Sequence, residues 1–368
     1  MYMYQHKDWP SFNWDEGVLL NHISRVRELQ GRVIGRLEGL GFQLREAATL
    51  ETVMVDVLKS SEIEGEFLDI KEVRSSVAKN LGIELSDQTP SSKHVDGIVD
   101  MMLDATQKHE DKLTKERLFS WHGSMFSAGR SGLYTITVGD WRTDQTGRMQ
   151  VVSGAMGKEK IHFVAPEASK VEKEMSIFLN WFNQTANLEP LIKAAVAHLW
   201  FITIHPFDDG NGRIARAISD MQVARADRTS ERFYSVSAQI MASKNQYYDI
   251  LESTQKGGME ITPWLVWYFE RLYEAMLATT ETLSSIMQKA NFWDTHRQTQ
   301  LNKRQILMIN KLFDGFVGKL KTSKWAKINK VHRDTALRDI QDLVKKGILR
   351  ETAEGGRSTN YQLFIPDR

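Results

Sequence analysis

The stretch LIKAAVAHLWFITI, residues 191–204, is a mostly apolar run interrupted by Lys193 and His198, and HPFDDGNGRIAR follows it without a gap. Such a run is too short to cross a bilayer, which takes about 20 residues. It predicts instead a helix buried in a large core and stopped by Pro206, whose ring cannot continue the backbone ladder. No membrane contact is expected. Gly210 and Gly212 allow a sharp turn, and a second helix is expected from about Asn211 with Ile214, Ile218 and Met221 on its buried face. Backbone N–H groups converging in such a turn, capped by a helix N-terminus, make a nest for an anion.

The rest of the chain up to about residue 290 reads as helix, because apolar residues recur at three and four positions rather than two. Leu50, Val53, Met54, Val57 and Leu58 form one such stripe. The polar stretch LSDQTPSSKHVDG reads as a connection between an N-terminal helical region and a central one. Residues 130–165 are the exception, since MQVVSG and KIHFVAP are short extended runs around a glycine-containing turn and predict a β-hairpin.

Charge divides the chain differently. From residue 301 onward 15 Lys and Arg stand against 7 Asp and Glu, a net of +8, so the first 300 residues carry −7 of the overall +1. That asymmetry predicts a separate C-terminal module. Its order is helix (KRQILMINKLF), short helix and turn (TSKWAKINKV), and helix (RDTALRDIQDLVKKG) with Ala336, Leu337, Ile340, Leu343 and Val344 on one face. A two-strand wing fits ILRETAEGGRSTNYQLF, with Gly355 and Gly356 at its turn. This pattern resembles a winged helix-turn-helix. Thr335, Arg338 and Arg357 would then approach DNA, with lysines 321, 324, 327 and 330 near phosphates. A protein-binding or homodimer-forming wing is the competing expectation. Zero cysteines exclude disulfides, thiolate zinc sites and a cysteine nucleophile, and fit a cytoplasmic location.

The groups around the turn point to a polyphosphate. Arg213 and Arg216 sit where a helix dipole normally attracts acids, and they make sense if several negative charges dock there. Asp209, among these cations, suits a Mg²⁺ ligand bridging phosphate oxygens. His205, at the mouth of the turn, is placed to take a proton from an attacking hydroxyl.

Residues 205–216 resemble the signature of Fic domains, H-P-F-x-[D/E]-G-N-G-R-x-x-R, at every defined position. The resemblance implies a mainly α fold, a Fic helical core with a small β-hairpin flap, that moves AMP from ATP to a Ser, Thr or Tyr hydroxyl of a target protein or of itself. It implies His205 as general base, Asp209 for Mg²⁺, Gly210, Asn211 and Gly212 for the α- and β-phosphates, and Arg213 and Arg216 for the outer phosphates. The hairpin stands in the place of the family's flap, with Ile161, His162 and Phe163 available to pair with a target backbone. NQYYDILESTQKGG resembles the segment of the base pocket, making Tyr247, Tyr248, Leu251 and Gln255 candidates for adenine contacts. A core-facing helix with two packed tyrosines explains the same residues.

Upstream, SSEIEG resembles the family's inhibitory motif, [S/T]-x-x-x-E-[G/N], with Ser60, Glu64 and Gly65 in the matching places. Continued at about 100° per residue, the Leu50 stripe places Glu64 within about 50° of its centre, while Glu62 and Glu66 point away. The resemblance implies that Glu64 pairs with Arg216 and blocks the γ-phosphate. In some relatives the same glutamate orients a water that removes AMP from targets, so a reverse reaction is a further expectation. Trp9, Phe12 and Trp14 resemble the opening of a domain found ahead of Fic cores and are expected to pack on that core. The expected domains are residues 1–90 with an inhibitory helix at about 48–66, a catalytic domain at 91–290, and a winged helix-turn-helix at 298–368. The rival function is a nucleotide-sensing transcription regulator, in which a Fic-type ATP pocket reports its occupancy to DNA; the intact His205 argues against a pure sensor.

Overall fold

The computed structural model describes residues 1–364, except 40, 86–87, 146, 155–159, 185–187, 314–315, 317 and 353–358. Two compact units result, Met1–Thr280 and Glu281–Arg368, with their boundary inside one long helix. The architecture is mainly α, with short antiparallel strand pairs.

The first unit opens with a 3-10 turn, Met3–Gln5, followed by α1 (Glu16–Glu38), α2 (Phe42–Ile63), α3 (Ile70–Leu81), α4 (Lys93–Gln107) and α5 (Lys115–Met125). Two strand pairs come next, β1 (Arg130–Ser131) with β2 (Tyr134–Thr135), and β3 (Gln150–Ser153) with β4 (Lys160–Val164). Then come α6 (Ala168–Asn183), α7 (Pro190–Ile204), α8 (Asn211–Asp227), α9 (Val236–Ala242), α10 (Lys244–Gln255) and the first part of α11 (Thr262–Thr295), up to Thr280.

α7 is the axis of this unit: every residue from Leu191 to Ile204 is buried, Lys193 and His198 included. Lys193 reaches out to the Gln184 carbonyl, and His198 hydrogen-bonds the Tyr247 hydroxyl. α8 packs along α7, so residues 205–210 form a tight corner between two buried helices. Trp9 and Phe12 pack edge-on against Trp200 of α7. α2 is held by α3, α4, α8 and α9, which fixes where its C-terminus ends. Its buried residues include Leu50, Val53, Met54 and Val57, as the stripe predicts.

The second unit contains α12 (Lys303–Phe313), α13 (Thr322–Asn329), α14 (Arg333–Lys345) and the hairpin β5 (Leu349–Glu351) with β6 (Tyr361–Leu363), in which Leu349 pairs with Leu363. Its core includes Met308, Ile309, Trp325, Ala336, Ile340 and Leu343. Leu337 is exposed, one residue off that face, so the apolar stripe of α14 is narrower than the sequence suggests.

Candidate active site

The corner after α7 is built residue by residue. His205 takes a left-handed backbone, φ 54° and ψ 59°, and its N–H still reaches the Phe201 carbonyl at 3.0 Å. The conformation is uncommon for a residue with a Cβ and marks a held position. Asn211 staples the turn, accepting from the Phe207 N–H at 2.9 Å and donating to the Phe207 carbonyl at 2.7 Å. Gly210, φ 82°, opens α8; a Cβ there would lie 2.8 Å from the Phe126 ring. Glycine is therefore required at 210 on two counts, backbone and space.

Side chains from residues outside the motif brace this loop. His122 is fully buried and stacked on Phe207, with Nε2 at 3.2 Å from the Asp209 carbonyl and Nδ1 accepting from the Gly139 N–H. Burial pushes His122 down to about 4, so the ring is neutral. Asp208 accepts from the Thr137 N–H at 2.8 Å. Asp209 accepts from the Ser131 hydroxyl and, at 2.5 Å, from the Gly210 N–H. The segment 130–142, which the sequence marks only as part of a non-helical stretch, is thus a belt around the loop.

His205 has the features of a base. Its Nδ1 lies 3.1 Å from the Ile202 carbonyl, which can only accept, so the proton sits on Nδ1 and the lone pair on Nε2. Burial pushes its pKa down to about 4, with the Arg142 cation acting the same way, while the Ile202 bond, Glu64 and Asp209 pull upward. The ring is unprotonated at neutral pH.

The C-terminus of α2 meets the start of α8. Arg216 is buried, and its Nη2 donates to the Glu64 carboxylate at 2.7 Å and to the Ser60 carbonyl at 2.8 Å, while Nε donates to the Ser60 hydroxyl at 2.9 Å. The Glu64 carboxylate overlies the nest itself: a Cβ on residue 212 would lie 2.0 Å from Glu64 Oε1. Arg216 Nη1 and Arg213 Nε are buried donors without a hydrogen-bond partner among the described residues. Buried donors left unpaired call for a further acceptor, and an anion in the nest would be one.

Glu66 departs from expectation. The helical projection turns it away, yet its carboxylate accepts from Arg213 Nη1 at 2.7 Å. The reason is local: α2 ends at Ile63, and Gly65 takes φ 83°, so residue 66 leaves the helical path. The Glu66 N–H closes back onto the Ser61 carbonyl at 3.0 Å, a common helix-ending pattern. Glu66 also bonds His94 Nε2, whose Nδ1 is anchored on the Met125 carbonyl. Burial raises the Glu66 carboxyl, but the His94 bond and the Arg213 cation outweigh it, leaving it below the ordinary range.

These groups face a cavity of about 630 Å³. Its wall includes Glu64, His205, Asp209, Gly210, Asn211 and Gly212 on one side and Tyr247, Tyr248, Leu251 and Gln255 on the other, with His162 and Phe163 from β4. Tyr248 donates to the Ile63 carbonyl and Gln255 to the Thr203 hydroxyl, so these residues also tie α10 to α2 and α7. Ile161 is exposed on β4 and is not among the residues that line the cavity. His162 is fastened to Glu252 of α10 and to Ser153 of β3, a clasp the sequence does not reveal. In the second unit Arg338, Lys327 and Lys330 are exposed and Thr335 is half-buried, while Arg357 lies outside the described residues.

Sequence comparison matches residues 112–223, from just before α5 into α8, to the Fic/DOC family. Residues 112–223 are a Fic/DOC domain. Residues 2–83 match a separate domain of unknown function, DUF4172, so Ser60, Glu64 and Glu66 lie outside the Fic/DOC match. The relatives include the protein adenylyltransferase Fic of Nematostella vectensis, 32% identical over 122 residues, which are 32% of this chain and 27% of that protein. Protein adenylyltransferase fic-1 of Caenorhabditis elegans is 29% identical over 84 residues, 22% of this chain and 16% of the relative. The match thus spans about a quarter or less of these relatives. Among solved structures, a Fic family protein from Desulfovibrio desulfuricans aligns over 96% of this chain and 98% of its own at TM-score 0.55 and 20% identity. A Fic domain containing signaling protein from Bacteroides thetaiotaomicron covers 71% and 97% at TM-score 0.53 and 18% identity. At those identities the likeness speaks for the Fic fold. No helix among the described residues is long and apolar enough to cross a membrane.

Proposed function

We propose that this protein transfers AMP from ATP to a hydroxyl side chain of a target protein, and that Glu64 holds the reaction back. The observation that carries the reading is the nest at the start of α8, flanked by the unprotonated His205 and by buried Arg213 and Arg216, with the Glu64 carboxylate resting where an anion would sit.

In this reading Gly210, Asn211 and Gly212 receive the α- and β-phosphates and the two arginines the outer ones. His205 Nε2 takes the proton of the target hydroxyl as its oxygen bonds the α-phosphorus. The bond from that phosphorus to the bridging oxygen breaks, and pyrophosphate leaves. Tyr247, Tyr248, Leu251 and Gln255 line the adenine side, and the β3–β4 hairpin pairs with the target backbone through the edge that carries Ile161, His162 and Phe163. Asp209 suits Mg²⁺: it faces the cavity with a carboxylate, and the ion commonly takes one or two carboxylates together with phosphates and waters. When bound, the ion neutralises phosphate charge.

The relatives named protein adenylyltransferase support the activity. The test is label from ATP marked at the α-phosphate, with Mg²⁺, followed in the wild type, Glu64→Gly, and Glu64→Gly combined with His205→Ala. Label mainly in Glu64→Gly that vanishes without His205 is the expected result. Nucleotide binding with no label, even in cell lysate, would favour the sensor reading.

We read the second unit as a winged helix-turn-helix, on its element order and terminal hairpin. Exposed Arg338, Lys327 and Lys330 give it a basic surface suited to DNA phosphates. Retention on DNA that falls steeply with salt is expected, and no retention at low salt would end that part of the reading.

A further inference from the structure

Arg142 is buried to the limit, its side chain 0% exposed, and lies outside the motif. Its guanidinium makes three contacts in different directions. Nε donates to the His205 carbonyl at 2.7 Å, Nη2 donates to the Pro166 carbonyl at 2.5 Å, and Nη1 meets the Asp144 carboxylate at 3.1 Å. Its own backbone N–H donates to the Pro206 carbonyl at 2.9 Å. Asp144 in turn accepts from the Ala168 N–H at the start of α6.

The two carbonyls belong to the two parts that must meet in the reaction. His205 carries the base, on a left-handed backbone that its Cβ disfavours. Pro166 is two residues past β4, the strand whose Phe163 and His162 face the cavity, and the neighbouring Ala165 N–H closes on the Met149 carbonyl at the foot of the hairpin. A planar guanidinium with donors in a fixed fork sets the separation of two acceptors, which a lysine ammonium cannot do. Resting on the transfer reading above, we infer that Arg142 is the positioning residue that fixes the catalytic histidine relative to the flap, and through it the base relative to the hydroxyl that the flap presents.

A misplacement of about 1 Å at such a site costs about 10²-fold in rate. The nucleotide contacts lie elsewhere, on α8 and α10, so loss of Arg142 acts on turnover rather than on ATP binding. The experiment uses the full chain carrying Glu64→Gly, ATP labelled at the α-phosphate, and Mg²⁺, with Arg142→Lys compared against its parent. The maximal self-labelling rate is expected to fall about 10²-fold while the ATP concentration for half-maximal rate stays within about two-fold. Amide hydrogen exchange, followed in the same proteins, is expected to quicken at residues 160–168 and 203–208 and to stay unchanged at 192–200. An unchanged maximal rate overturns the proposal, as does a loss accompanied by faster exchange throughout the first unit, which marks unfolding. If the parent carries no label, the transfer reading fails, and exchange alone decides for Arg142: a local rise upholds its hold on histidine and flap, and no rise overturns it.

Discussion

Arg216 Nη2 lies 2.7 Å from Glu64 Oε1, and the same carboxylate overlies the backbone of Gly212 at the start of α8. One acidic group therefore occupies both the guanidinium and the nest. Charge-assisted hydrogen bonds of this kind are worth about 1.5–3 kcal/mol. Glu64→Gly is expected to tighten ATP binding and raise self-labelling by about 10- to 10²-fold, the factor those energies represent. Equal nucleotide affinity in both proteins, measured by calorimetry, would contradict the overlap.

Glu66 is expected to act on Arg213 as Glu64 acts on Arg216. In the Glu64→Gly protein, Glu66→Gln leaves Arg213 without its carboxylate partner at 2.7 Å. The carboxylate is a third exposed, which weakens the pair. Affinity for ATP is expected to rise by about two- to five-fold with affinity for adenosine unchanged, because in the proposed reading Arg213 meets only the phosphates. Titrating both ligands against both proteins checks this, and a parallel change in adenosine affinity would show a general loosening instead.

His205 and His122 are each pushed down to about 4 and His198 to about 3, burial being the leading cause in all three. An exposed imidazole in the unfolded chain titrates near about 6.5. Between those values the unfolded state binds protons that the fold excludes, so stability rises with pH through that window. The contribution is complete above about 6.5 and is lost as pH falls toward about 4. The melting temperature is expected to drop between pH 7 and pH 5, with proton uptake on unfolding. Self-labelling by Glu64→Gly is expected to show no acid limb near about 6.5, since the base remains unprotonated there.

Gly97 on α4 touches α5 so closely that a Cβ would lie 2.0 Å from the Ser124 carbonyl oxygen. Backbone cannot give way as a side chain can, so Gly97→Ala is expected to cost about 1–3 kcal/mol or more. Denaturant unfolding measures it. Gly123→Ala, whose Cβ would meet nothing within 4 Å, is the matched control.

Much of the site is legible in the sequence because its signals are local. Pro206 stops one helix, Gly210 and Gly212 turn the chain, and Asn211 starts the next, all within a few residues. The hairpin around residues 150–165 and the element order of the second unit are legible for the same reason. Glu66 is misplaced because a helical projection assumes the helix continues, and one left-handed glycine is enough to turn the side chain the other way. Arg142, His122 and Ser131 escape notice because they reach the loop from 63 to 87 residues away in sequence, where spacing carries no information.

Glu64 and Glu66 directly follow α2, which is packed against α3, α4, α8 and α9, in the same chain as the arginines they cover. In the proposed reading, an anion arriving from solution competes with a tethered rival whose effective concentration is set by geometry and does not fall when the protein is diluted. In that reading the balance shifts with more of the free anion or with a looser seating of α2. Substitutions in the seam between α2 and α9 would then act as a dial on how closely Glu64 and Glu66 cover the nest.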